Sequence, residues 1–133
     1  MPSIFTRIIE GEIPCYKIAE DEKHFAFLDI NPLRPGHTLV VPKEEVDYIF
    51  DLPVERLAEL HQFSQGVAKA IEKVVPCERI GVTVIGLEVP HAHIHLIPIR
   101  GIADMEFSRP KVKLSKEEFE DIATKISKAY TAV

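Results

Sequence analysis

The sequence is poor in residues that would staple the chain or anchor it in a membrane. Its 133 residues include two cysteines, Cys15 and Cys77, too few for a disulfide framework. They form no Cys-x-x-Cys pair, which excludes a zinc knuckle. No apolar run approaches the ~20 residues of a membrane-crossing helix. Residues 1–7 lack the apolar stretch of a signal peptide and soon meet Glu10 and Glu12. Positive charge is not in excess: 16 basic against 21 acidic residues give a formal charge of −5. Broad nucleic-acid binding needs a cationic surface and is not expected, although a few local donors suffice for a small phosphate ligand. Repeats, low-complexity tracts and Gly/Ser linkers are also missing. One domain over 1–133, in a reducing cytoplasmic setting and away from membranes, is the expectation.

Hydrophobic residues make up 46% and charged residues 28%, enough apolar material for a core. Ser3 can cap a short helix with Ile4, Phe5, Ile8 and Ile9 on one face, ended by Gly11. Strands are expected over 16–19, 24–30, 37–41, 80–85 and 92–98, with a rigid proline-rich loop over 31–36. A long helix follows Asp51-Leu52-Pro53, its stripe being Leu57, Leu60, Phe63, Val67, Ile71 and Val74. Gly66 within it costs about 1 kcal/mol relative to Ala and marks a close packing contact. Ser115 and Glu118 form a capping box for a last helix with Phe119, Ile122 and Ile126 inward. Short turns between successive strands imply a largely antiparallel sheet in an α+β domain.

The most informative segment is Gly86-Leu87-Glu88-Val89-Pro90-His91-Ala92-His93-Ile94-His95-Leu96-Ile97-Pro98. Half of the six histidines fall here with a period of two. On a strand all three rings project from one face, ~6.6 Å apart, while Ala92, Ile94 and Leu96 face the core. Three readings fit. The rings are structural, hydrogen-bonded groups; or they ligate a metal, although no Cys is near and the closest acid is Glu88; or one imidazole is a nucleophile towards phosphorus. The third requires a partner that fixes its tautomer and donors for the charge growing on phosphate oxygens. The isolated His24, His37 and His61 read as surface or structural residues without chemistry.

His91-Ala92-His93-Ile94-His95-Leu96-Ile97 resembles the motif of the histidine triad (HIT) family. Other stretches agree: Ile4-Phe5 with Ile8-Ile9, Glu12-Ile13-Pro14, Ala26-Phe27-Leu28-Asp29-Ile30, and Pro35-Gly36-His37 on to Pro42-Lys43. The likeness runs over about 4–98. It implies a HIT-like α+β fold: a five-stranded antiparallel sheet with a long helix and a C-terminal helix, paired into a ten-stranded homodimer. It also implies a nucleotide hydrolase or nucleotidyl transferase acting at the α-phosphate, of the phosphoramidase or dinucleoside polyphosphate hydrolase type. The partner would be a purine nucleotide or its conjugate, with no cofactor and no metal. By this likeness His93 forms a nucleotidyl-histidine, His91 contacts the phosphate or leaving group, and His95 anchors the His93 ring through a hydrogen-bond relay. Ile4, Phe5, Ile8, Phe27, Leu28 and Ile30 would line the base site, and Asp29 would accept from the ribose hydroxyls. As plain residues, the apolar set could equally be core and Asp29 a turn residue.

Departures from the family pattern cluster on the leaving-group side. Gly86-Leu87-Glu88-Val89 stands where a Gly-Gln-Ser/Thr-Val stretch is typical, so an amide and a hydroxyl donor are missing. A histidine expected shortly after Pro42-Lys43 is Glu45, and Thr83 stands near the place of an expected asparagine. The chain has no tryptophan, so an aromatic lid of that kind is absent. A buried, protonated Glu88 could donate to the leaving group; alternatively it pairs with a cation or a dimer partner. The same changes keep open a nucleotide-binding regulator or scaffold with little turnover. Segment 101–113 either closes over the pocket or merely connects.

Overall fold

Residues 2–133 are described by a computed structural model. Ser3 opens α1 (Ile4–Ile9) by accepting the Thr6 N–H on its hydroxyl, and Gly11, at φ +83°, turns the chain away. Helix α2 (Val54–Val74) starts after Pro53, where a missing N–H does no harm. Helix α3 (Lys116–Ala129) begins with the expected capping box of Ser115 and Glu118. Strands β1 (Lys17–Glu20), β2 (His24–Leu28), β3 (Thr38–Pro42), β4 (Arg79–Thr83) and β5 (Ile94–Ile99) form one antiparallel sheet in the order β1-β2-β3-β5-β4. Among the described residues, no helix is long and apolar enough to cross a membrane.

The sheet carries a different core on each face. Ala26, Leu28, Val40, Ala92, Ile94 and Leu96 pack against Leu60, Phe63, Val67 and Ile71 of α2 and Phe119 and Ile126 of α3. The opposite face collects Phe25, Phe27, Leu39 and Val41 under Phe5 of α1. Strands β2 and β3 are consequently buried along their whole length. Gly66 faces the returning C-terminus: a Cβ there would lie 3.2 Å from the Thr131 carbonyl and 3.3 Å from the Tyr130 ring.

Several strand limits differ from those expected. Strand β4 stops at Thr83 rather than 85, and β2 stops at Leu28 rather than 30. Strand β5 starts at Ile94 rather than 92 because its ladder partners end there: Val40 pairs with Ile94 and Thr83 with His95. The preceding residues are held otherwise, with Ala92 N–H bonded to the Val46 carbonyl at 2.7 Å. His91 and His93 therefore sit on the extended lead-in to the strand, and His95 alone on the strand itself.

Gly36 closes the loop that delivers β3 to the site. Its φ is +95°, and a Cβ would lie 2.9 Å from Val75 Cγ2. Left-handed backbone costs an L-residue about 1–2 kcal/mol, and the contact adds to that. Gly36→Ala should lower the unfolding free energy by about 2 kcal/mol in urea titrations; an unchanged midpoint would remove this account of the loop.

Candidate active site

Three elements converge on the α1 side of the sheet: α1 itself, the 91–95 segment and the start of β3. His91, His93 and His95 lie on this face, opposite Ala92, Ile94 and Leu96, and all three are buried. Phe5 stands edge-on to His93 with ring centroids 4.9 Å apart, and His95 flanks His93 at 5.0 Å.

The backbone sets the proton on each ring. The His91 carbonyl can only accept, so His93 Nδ1–H donates to it at 2.7 Å and the lone pair is left on Nε2. Among the described residues Nε2 has no hydrogen-bond partner, and no fully buried side-chain nitrogen or oxygen lacks one, so Nε2 reaches solvent. At the other end of the cluster the Leu33 N–H can only donate, which makes His37 Nδ1 an acceptor at 3.0 Å. His37 Nε2–H then donates to His95 Nδ1 at 3.0 Å, so His95 carries its hydrogen on Nε2. A nucleophilic lone pair and a hydrogen-bond donor thus stand on neighbouring rings. Burial holds the His93 pKa below the ordinary imidazole value, and it lowers His95 to about 4 and His37 to about 3. All three are neutral at pH 7.

His91 is 0% exposed and both its ring nitrogens are engaged. Nε2–H donates to the Pro42 carbonyl at 2.8 Å, and Nδ1 accepts from the Ser3 hydroxyl at 2.7 Å. In this arrangement it holds the backbone behind His93 rather than meeting a ligand. No hydrogen bond joins His95 to His93; the relay runs to His37 instead.

The base-side residues divide. Phe5 and Phe27 pack edge-on at 5.5 Å beside the histidines, with Ile8 and Cys15 against the same cluster. Leu28 does not join them: strand alternation turns it into the helix-side core. Ile30, past the end of β2, is 66% exposed, and Ile4 is 48% exposed at the rim. Asp29 Oδ1 accepts from the Asn31 N–H at 2.8 Å, the geometry of a turn, while Oδ2 lies 3.6 Å from His37 Nε2. Burial raises the Asp29 pKa; the Asn31 bond and the Lys111 charge oppose the rise. On the leaving-group side Glu88 is exposed, so the burial expected of a proton donor there is not found. Leu87 is exposed as well, and Gly86 turns the loop at φ +75°.

Sequence reasoning missed His37, whose partner lies 58 residues away. It also left segment 101–113 unread. Phe107 in that segment packs edge-on to His95 at 4.9 Å and near His37 at 6.1 Å. Lys111 ties the segment by bonding the Phe107 carbonyl, and Val112 N–H bonds the Pro32 carbonyl at 2.8 Å. The segment therefore covers the His37–His95 end of the site.

Asp29, His37 and His95 bring three ligand-type atoms within 4.8 Å of one another. Their hydrogen-bond polarity does not suit a cation. With Nδ1 held as an acceptor by Leu33, neutral His37 offers a hydrogen on Nε2 where a metal needs a lone pair.

The sequence model of the HIT domain matches residues 10–102. An uncharacterised HIT-like protein of Methanocaldococcus jannaschii is 42% identical over 102 residues, covering 71% of this chain and 77% of that one. An adenosine 5′-monophosphoramidase of Schizosaccharomyces pombe is 35% identical over 130 residues, covering 96% and 97%. The crystal structure of a HIT-like protein from Bartonella henselae superposes with a TM-score of 0.81 at 34% identity, covering 96% of this chain and 95% of that one. Its sheet order, its triad and these likenesses along nearly the whole chain agree: the protein belongs to the histidine triad family.

Proposed function

We propose that the protein is a nucleotide-conjugate hydrolase or nucleotidyl transferase acting at the α-phosphorus, with His93 as nucleophile and purine nucleoside phosphoramidates as substrates. The observation that carries this reading is the unpartnered lone pair of His93 Nε2, which reaches solvent from a buried ring whose opposite nitrogen is committed to the His91 carbonyl. The name of the fission-yeast relative supports the choice of substrate. So does charge. Burial is the leading influence on both His93 and Asp29, but the Glu88 carboxylate also acts on each. A carboxylate at this mouth repels a polyphosphate leaving group and tolerates an amine.

His93 Nε2 attacks phosphorus, and the bond to the leaving nitrogen breaks as that nitrogen takes a proton from water at the open mouth. His95 Nε2–H donates to a non-bridging oxygen, where charge grows. Water then attacks the same phosphorus; the P–Nε2 bond breaks, the nucleoside monophosphate leaves, and the surplus proton passes to solvent. Phe5 and Phe27 would hold the base, and the second oxygen of Asp29 a ribose hydroxyl. We include a two-fold homodimer in this reading because β4 is an edge strand with unpaired backbone groups and Val82 exposed.

Adenosine 5′-phosphoramidate carrying labelled phosphorus should leave an acid-labile adduct on the protein. In His93→Ala that adduct should vanish and kcat/KM fall on the order of 10⁴-fold or more. Tight nucleotide binding with neither adduct nor product would instead favour a regulator or scaffold. Excess chelator should leave the rate unchanged; inhibition would point to metal chemistry.

The buried imidazoles also set the pH response. An unfolded histidine binds a proton below about pH 6.5, but these folded ones resist until lower pH. The unfolded state therefore binds more protons between those limits, and stability is complete above pH 6.5 and lost below it. Within its window, each of His95 and His37 should cost ~1.4 kcal/mol per pH unit. For His95 and His37 the windows run from 6.5 down to about 4 and about 3. Urea titrations from pH 7 to pH 4.5 should show the decline, with a shallower slope in His37→Gln. An identical slope in that variant would contradict the buried neutral state of His37.

A further inference from the structure

Glu45 stands in the loop after β3, on the surface, where composition alone suggests only a solvated charge. Its Oε1 accepts from two groups at the start of α1: the N–H of the capping Ser3 at 2.7 Å and the Thr6 hydroxyl at 2.6 Å. The second bond has a consequence. Thr6 has one hydroxyl proton and gives it to Glu45, so it cannot donate to His91 Nδ1, 3.4 Å away. Ser3 is left as the donor to that nitrogen, at 2.7 Å. His91 in turn presents the carbonyl that takes the His93 Nδ1–H. An unbroken path of hydrogen bonds and covalent backbone thus joins an exposed carboxylate to the nucleophile. Phe5, between Ser3 and Thr6, lies edge-on to His93 at 4.9 Å and to His91 at 5.8 Å.

We propose that Glu45 is a positioning residue that fastens the first turn of α1 to the triad, so that Phe5, His91 and His93 are aligned as one body. Closure of the nucleobase side is then coupled to alignment of the nucleophile. A short helix has little stability of its own, since nucleating a turn is unfavourable. Without the carboxylate, the Ser3 N–H loses the acceptor that holds the start of the helix, and the Thr6 hydroxyl loses the one that orients it. The Thr6 proton is freed to compete for His91 Nδ1, and the ring is no longer addressed by one donor. The charge of Glu45 is not what matters in this account; the acceptor oxygen is.

The inference rests on His93 being the nucleophile, and two readouts separate the claims. Glu45→Ala, Glu45→Gln and a surface control, Glu44→Ala, are compared with the parent protein using adenosine 5′-phosphoramidate. Long-range ¹H–¹⁵N spectra of the imidazoles report each tautomer independently of turnover. Glu45→Ala should raise KM and also lower kcat about tenfold, the scale of a modest misalignment. It should move the His91 Nδ1 resonance while leaving those of His95 in place. Glu45→Gln keeps an oxygen for both donors and should restore kcat and the His91 signal, and Glu44→Ala should match the parent. A rise in KM alone with unchanged His91 resonances would overturn the proposal, as would a glutamine variant as impaired as the alanine one. If the parent protein shows no turnover, the nucleophile reading fails; the His91 resonance then decides the brace alone, a shift in Glu45→Ala upholding it and no shift refuting it.

Discussion

The 2.7 Å hydrogen bond from His93 Nδ1 to the carbonyl of His91 is the constraint on which the rest of the site depends. A neutral imidazole has one N–H, and whichever nitrogen carries it, the other becomes the base or nucleophile. A carbonyl can only accept, so it decides the matter without any other titratable group. That carbonyl is aimed by the peptide between His91 and Ala92. Ala92 packs into the helix-side core and donates its N–H to Val46, while the His91 ring is held at both nitrogens. The helices on one face of the sheet thereby fix a proton position on the other.

A second backbone group works in the opposite sense. The Leu33 N–H can only donate, and its bond to His37 passes through that ring to His95, leaving a hydrogen on the outer nitrogen. Two adjacent rings with the same chemistry thus acquire complementary outer faces, one a lone pair and one a donor. The period-two spacing puts them side by side, and the backbone tells them apart. Burial, which keeps all of them neutral, is tolerable because every fully buried polar side-chain atom among the described residues has a partner.

Much of this was legible in the sequence, and the exceptions have physical causes. Capping residues located the helices, as Ser3 and Ser115 illustrate, and alternation located the strands. Strand ends were less readable because a ladder stops where its partner stops, as at Thr83 opposite His95. The family likeness puts Leu28 on the base side, whereas the fold turns it into the helix-side core; β2 is apolar on both faces, so hydropathy cannot say which face a residue joins. Phe27 beside it faces Phe5 and the histidines by the same alternation that sends Leu28 inward. His37 and Glu45 gave no local signal: the first acquires its meaning from His95, the second from Ser3 and Thr6, and both partnerships are long-range. Phe107 likewise becomes part of the site only when its segment docks on the Pro32 loop.

The departures at Leu87 and Glu88 lie on an exposed rim, whereas the histidines are interlocked with the backbone. This bears on whether the site turns over or only binds. Phosphate oxygens are acceptors, so a protein built to retain a nucleotide gains by aiming donors at them. A bare imidazole lone pair aimed at a phosphate opposes such binding, since acceptor would meet acceptor. Presenting the other tautomer would need no more than a donor in place of the His91 carbonyl. The arrangement found here puts the lone pair outward, and burial holds the His93 pKa below the ordinary imidazole value. It gains nothing for holding an anion, and it supports the proposed reading, since displacement at phosphorus requires a free lone pair.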